Sequence, residues 1–503
     1  MRLPWFRQTA FLAAAAAFVV HAAANPHYGF FRDELYFIIC GRHPQWGYVD
    51  QPPVVPLLSA LTQVLGPSLF LLRLVPAACA AAAVFAACRL SEEFGGKTFA
   101  LLLAATGTFF APELLSFGMK SGTDEIGMWA WPIAVLFIAR VRKGADPRWW
   151  LAAGAVIGLA FEAKYSALFF GIAAVAALLL APGRRVLFTP WFAAGAALAI
   201  LIALPNALWQ AHYGFPMIEL LRNGQHGKNV MVSPQTFLLL QLLVTNPLLS
   251  LIWLTGLVWA LSKPDLRWIA YLWAILMALM IAAHGKMYYP GDVYPVAFAL
   301  GGVALERLLS NAALRAAALG VAVAAGIAMA PLVLPILSEP DAVAYGQGLS
   351  RTLHINAPKT EHHRSGPLSD DFADMHGWPQ LAQTVASLYD ALPPDEKRVA
   401  AIAASNYGEA AAIDFFGAAY GLPPAISGHN QYFLWGTHGY SGEVLIDIDG
   451  DCGAGMHLYR SARRAAVFSA PWAIAYEQGL PIMVCRGIDK PLQQIWTRVK
   501  NYN

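Results

Sequence analysis

The chain has 503 residues, of which 57% are hydrophobic and only 13% charged, against roughly 25% charged in an average soluble protein. With 16 Trp, 27 Phe and 18 Tyr as well, it carries more apolar bulk than a soluble surface can hide, so the composition calls for a polytopic membrane protein. A net charge of +3 leaves no basic footprint for nucleic acid, and five Cys are too few for a disulfide framework.

A bilayer is crossed by about 17–25 apolar residues. Spans are expected at 9–25, 68–88, 98–117, 125–140, 149–163, 165–181, 187–208, 236–261, 267–283, 288–305 and 315–337, about eleven in all. Arg2 and Arg7 with the Ala22–Ala24 run also fit a cleaved signal peptide, but retention as a first anchor is favoured because functional-looking residues follow at once. Every second loop is basic: Arg89 and Lys97; Arg140, Arg142, Lys143 and Arg148; Arg184 and Arg185; Lys263 and Arg267; Arg307 and Arg315. By the positive-inside rule these face the cytoplasm. The intervening loops, including 26–67, 118–124 and 209–235, then face outward together with the tail 338–503. The expected division is therefore a membrane domain over 1–337 and an outer domain over 338–503. Apolar segments at 398–405, 417–424 and 445–450 alternate with turns in the tail, which reads as a small α/β domain.

The chemistry concentrates in the outer loops. Loop 26–67 carries Asp33 and Glu34 directly after the first span, then Asp50 and Gln51. Ionisable groups at the rim of a membrane are costly and are usually functional or paired. Asp33 or Glu34 could simply cap a helix or pair with Arg32. Asp124 could be an N-cap, and Lys164 could snorkel beside Glu162. The functional reading gains from company on the same side: Lys120, Arg222, His226, Lys228, His284 and Lys286, amid Tyr and Trp. A lipid phosphate needs cations and hydrogen-bond donors, and more so when it leaves with growing negative charge. Activating an acceptor hydroxyl or amine needs a carboxylate within hydrogen-bond reach. No phosphate-binding loop, dinucleotide fingerprint, zinc-protease motif or serine elbow competes.

The stretch Tyr28-Gly-Phe-Phe-Arg-Asp33-Glu34-Leu-Tyr36, followed by Trp46-Gly-Tyr-Val-Asp50-Gln51-Pro52-Pro53, resembles the first outer loop of GT-C glycosyltransferases. It is closest to the bacterial branch related to protein O-mannosyltransferases and the lipid A aminoarabinose transferase. Further matches are Gly158-Leu-Ala-Phe-Glu-Ala-Lys164-Tyr165-Ser166, Asn246-Pro247, Lys286-Met-Tyr288-Tyr289-Pro290, Ser405-Asn406-Tyr407-Gly408-Glu409-Ala410 and Gly428-His429-Asn430. The resemblance implies a mainly α, polytopic GT-C fold in the bacterial inner membrane with a periplasmic active site. It also implies an inverting glycosyltransferase that takes a sugar from a polyprenyl-phosphate donor to an envelope glycan, lipid or protein acceptor. By the same resemblance Asp33 is the general base, Glu34 assists or orients it, and Asp124 is a second acidic residue of the catalytic set. Lys164, Arg222, Lys286, Tyr288 and Tyr289 are candidates for the donor phosphate. Tyr36, Asp50, Gln51, His226 and His284 are candidates for other substrate contacts.

One departure stands out: the aminoarabinose transferases carry Glu-Lys-Pro-Pro where this chain has Asp50-Gln51-Pro52-Pro53. Gln51 cannot neutralise a phosphate, so other cations must. Asp50 with His226 or His284 could hold a divalent metal, although no close ligand spacing supports one. In the tail, Asn406, Tyr407, His429, Asn430, Trp435 and His438 are of the kind that stack on and bind sugars, and equally of the kind that fill turns and cores. Cys452 and Cys485 lie on the oxidising side and could pair. A transporter or flippase of a lipid-linked sugar is the alternative function, and a glycan-binding envelope protein a third.

Overall fold

The computed structural model describes residues 5–353, 361–362, 364–453, 455 and 457–503; Arg2 lies outside them. Each apolar window holds a helix, but the helices differ in reach. Leu69–Glu93, Pro190–His212 and Ala312–Leu332 are each long and apolar enough to cross a membrane. Thr98–Phe110 with Pro112–Met119, bent by 63°, and Pro234–Val244 with Pro247–Leu261, bent by 110°, qualify only as pairs. Both breaks fall at a proline, which lacks the N–H that a continuing helix would use. At the sharper break Asn246 takes a positive φ of 70° and its side chain caps the N–H of Leu248. Shorter apolar helices, among them Trp149–Phe161, Ser166–Leu180 and Arg267–Ala282, complete the bundle.

The two sets of loops gather at different ends. Where the basic loops lie, Glu93 meets Lys143 at 2.9 Å and Arg140 at 3.5 Å, Arg142 donates to the carbonyl of Pro182, and the N–H of Lys97 donates to Glu306. At the other end, Asn206 donates to the carbonyl of Trp46 and Gln210 to that of Tyr48, while the N–H of Val54 bonds to the carbonyl of Glu162.

The tail forms a five-stranded mixed sheet. Its strands are β1 (Ala400–Ala404), β2 (Ala425–Ile426), β3 (Val444–Ile448), β4 (Tyr459–Phe468) and β5 (Leu480–Ile488), in the order β2-β1-β3-β5-β4. β2 and β3 run parallel to β1, while β5 is antiparallel to β3 and β4 antiparallel to β5. The fold class is therefore the expected one. The expected apolar segment 417–424 is instead a short 3-10 turn ended by Gly421 at φ 70°, and the strand starts only after Pro423 and Pro424. A disulfide joins Cys452, after β3, to Cys485 on β5.

One helix lies at the junction of the two parts. Arg32–Arg42 packs against helix Tyr407–Phe416 of the sheet domain. Gly408 permits the approach, because a Cβ there would stand 2.3 Å from Cγ of Arg32. The first turn of Arg32–Arg42 is fixed by Glu34. Its carboxylate accepts from Arg73 Nε at 2.9 Å and Nη2 at 2.8 Å, from the N–H of Ser121 at 2.9 Å and from the N–H of Phe31 at 2.8 Å. Both charged side chains are fully buried. Arg73 spends its remaining donors on the carbonyls of Asn25, His27 and Gly29. Glu34 therefore corrects the expectation of a catalytic assistant: it is sealed from any substrate and acts as an anchor.

Removing one partner of such a pair strands the other charge, at a cost of about 3–5 kcal/mol. Glu34→Gln should therefore lower stability by that order in detergent-solubilised thermal unfolding, whereas Asp33→Asn should leave the midpoint near the parental value. Equal midpoints for Glu34→Gln and the parent would remove the anchor role.

Candidate active site

Asp33 follows Arg32 at the start of the same helix, and its side chain is 35% exposed. Its Oδ1 accepts a hydrogen bond from the phenol of Tyr407 at 2.7 Å, a residue 374 positions later in the chain. Arg32 lies alongside, 3.9 Å from Oδ1 of Asp33, 3.3 Å from Asp374 and hydrogen-bonded to the phenol of Tyr476. The carboxylate is thus accessible, oriented and beside a cation that other partners hold.

Lys228, from a distant loop, lies close enough for the charge of Asp33 to act on it. Lys286 reaches Glu361 at 2.6 Å, and Lys228 lies 3.9 Å from the same carboxylate. Lys228, Lys286 and Arg32 are close enough to Glu361 that their charges act on it. Burial pushes the Glu361 carboxyl up, but these cations more than offset that and hold it below the ordinary carboxylate range. Burial also pulls Lys228 below the ordinary lysine value, with Glu361 restoring part of the loss and Asp33 contributing. Lys164 pairs with Asp124 and stands 5.0 Å and 4.5 Å from the ring centroids of Tyr288 and Tyr289. Lys120 pairs with Asp371 at 2.6 Å. Lys164, Lys120, Lys228 and Lys286 are thus each paired with a carboxylate from another loop.

Asp50 belongs to the seam between the two parts. Its oxygens accept from Tyr36 at 2.9 Å and from Asn430 at 3.0 Å, and burial raises its carboxyl to about 6. Tyr36 accepts in turn from the N–H of Gln431. Gln51 is buried, and its backbone carbonyl accepts from the N–H of Tyr48. Tyr36 and Asp50 tie loop 26–67 to the sheet domain; Tyr36 and Gln51 are buried, while Asp50 is partly exposed.

The donor set does not suit a metal at Asp50. His226 is exposed and donates to the carbonyl of its own helix at Arg222, and His284 is exposed with a φ of 53°. Neither joins Asp50 in a converging ligand group. The one group of three ligand-type residues found among the described residues is Asp447, Cys452 and Cys485, whose two sulfurs form the disulfide.

The structure thus brings together Asp33, Asp124, Lys164, Lys286, Tyr288 and Tyr289, seats Tyr36, Asp50 and Gln51 in the domain seam, and leaves Arg222, His226 and His284 exposed at the surface. Arg73, Glu361, Asp374 and Tyr476 escaped the sequence reading because their importance comes only from distant partners. An apolar groove of about 440 Å³ runs along Leu58, Leu74, Val75, Ala78, Ile126 and Trp129.

Residues 50–209 match the family described as dolichyl-phosphate-mannose-protein mannosyltransferase. The lipid A galacturonosyltransferase RgtD of Rhizobium johnstonii is 27% identical over 186 residues, which is 37% of this chain. The match spans 39% of that relative's length. ArnT from Cupriavidus metallidurans, solved bound to undecaprenyl phosphate, superposes with a TM-score of 0.60 at 15% identity, over 94% of this chain and 97% of ArnT. Its apo form gives 0.62 at 14% identity over the same shares. The chain has the membrane-embedded fold of the GT-C glycosyltransferases, completed by a small five-stranded domain.

Proposed function

We propose that the protein is an inverting glycosyltransferase that moves a sugar from a polyprenyl-phosphate donor to an envelope acceptor, on the periplasmic face of the inner membrane. The observation that carries this reading is an accessible carboxylate, Asp33, held beside cations drawn from separate loops. The match to a lipid A galacturonosyltransferase and the fold shared with a structure bound to undecaprenyl phosphate support lipid A as acceptor and a prenyl phosphate as carrier.

In this reading the free oxygen of Asp33 takes the proton of the acceptor hydroxyl as that oxygen attacks the anomeric carbon. The bond from the anomeric carbon to the phosphate oxygen breaks with its electron pair, and polyprenyl phosphate leaves. Lys286, Lys228 and Lys164, with the phenols of Tyr288 and Tyr289, are the groups suited to the charge that grows on that phosphate. Lys286 and Lys228 take over what Gln51 cannot supply, and both are held by Glu361. The apolar groove along Ile126 and Trp129 suits the prenyl chain. The bent helix pairs are also a feature of transporters; against that reading, these charges gather at one end of the bundle rather than midway along it.

Purified protein would be offered undecaprenyl-phosphate-linked galacturonic acid, aminoarabinose or mannose, with lipid A as acceptor, and glycosylated lipid A followed by mass spectrometry. Asp33→Asn should lower transfer by about 10²–10⁴-fold, the span general bases supply. Transfer by that variant near the parental rate would rule out the base, and movement of donor across a vesicle membrane without acceptor consumption would favour a transporter. Lys286→Gln should raise the donor KM about tenfold or more, since a charge-assisted hydrogen bond is worth roughly 1.5–3 kcal/mol. An unchanged donor KM would take Lys286 out of the phosphate site.

A further inference from the structure

We propose that Tyr407, on the sheet domain, is a positioning residue for the transfer step: its phenol fixes one oxygen of Asp33 so that the other is presented to the acceptor. The inference rests on the reading of Asp33 as the base. A carboxylate next to an arginine has an obvious local fate, a bidentate ion pair that occupies both oxygens. Here Arg32 is kept from that pairing. Its Nε lies nearer to Asp374, at 3.3 Å, than to Asp33, at 3.9 Å, and its Nη1 donates to Tyr476. Asp374 and Tyr476 both come from the tail, as does Tyr407.

The oxygen of Asp33 that faces Arg32 is the one Tyr407 caps, at 2.7 Å. Among the described residues Oδ2 accepts no hydrogen bond, so it is the oxygen left for an acceptor proton. The phenol that does the capping has little freedom of its own. Its ring centroid lies 4.5 Å from that of Tyr36 and 4.9 Å from that of His429, with the guanidinium of Arg32 5.4 Å above it. Its backbone N–H bonds to Nδ1 of His429 at 3.2 Å. The helix it starts is closed by a reciprocal cap between Asn406 and Glu409. Tyr407 keeps its proton through the reaction: the acceptor proton goes to Oδ2, and the leaving electron pair goes to the phosphate. A misplaced reacting group can cost about 10²-fold in rate, so a fixed carboxylate is worth a dedicated donor.

The test compares Tyr407→Phe, Asp33→Asn and the double variant with the parent, using full-length protein and whichever of the three undecaprenyl-phosphate donors supports transfer to lipid A. Tyr407→Phe keeps the ring contacts and loses only the hydroxyl. It should lower kcat about tenfold, with donor and acceptor KM within about twofold of parental and an unchanged thermal midpoint. In the Asp33→Asn background the same change should have no further effect on the residual rate, because the group it orients is gone. If Asp33→Asn is inactive while Tyr407→Phe keeps the parental kcat, the positioning role falls and the base stands. A fall that appears only as higher KM, or that persists in full in the Asp33→Asn background, also overturns the inference. Loss of activity with a lowered midpoint would make Tyr407 a strut. No transfer from any donor, or an active Asp33→Asn, overturns the base reading and this inference with it.

Discussion

The arrangement depends on a fully buried ion pair. Glu34 and Arg73 lie one loop apart in a dry interior, where a lone charge would be prohibitive. The pair is tolerable because the remaining polar atoms have partners: Arg73 also donates to three carbonyls, and Glu34 also accepts from two backbone N–H groups. This knot sets where helix Arg32–Arg42 begins and which way it turns. Because successive helical residues point about a quarter-turn or more apart, sinking Glu34 into the interior leaves Asp33 facing outward. The buried carboxylate and the accessible one are therefore two results of one constraint.

Around that helix the end of the bundle that meets the sheet domain is an electrostatic mosaic rather than a single positive patch. Lys164 has Asp124, Lys120 has Asp371, Lys228 and Lys286 share Glu361, and Arg32 has Asp374. Half-buried cations without such partners would be poorly solvated. Pairing them through carboxylates from other loops keeps them charged and in place.

Much of this was legible in the sequence, for a physical reason. Asp33, Asp124, Lys164 and Lys286 stand out because charge in an apolar stretch is expensive, and the alternation of basic loops placed them on one side. The α/β character of the tail was also readable: of the apolar segments expected at 398–405, 417–424 and 445–450, the first and third overlap strands β1 and β3. What was hidden is what depends on direction or on distant contact. Asp33 and Glu34 are neighbours of one chemical type, and only Arg73, inside an apolar helix, separates their roles. Arg222, His226 and His284 share loops with Lys228 and Lys286 but are exposed, His284 with a positive φ. Tyr407 could be singled out as a sugar-stacking candidate, yet nothing near it in sequence points to Asp33. Glu361 sits in no recognisable pattern at all.

The hydrogen bond across 374 residues has a consequence for biosynthesis. At roughly 5–20 residues per second, the ribosome makes Tyr407 on the order of 20–75 seconds after Asp33. During that interval the opening helix and the bundle can form, but Asp374, Tyr407 and Tyr476 do not yet exist, and Arg32 is free to close on its neighbour. In a nascent or truncated chain the first turn of that helix would thus lack the partners that Asp374, Tyr407 and Tyr476 supply, until the last domain folds against the first loop.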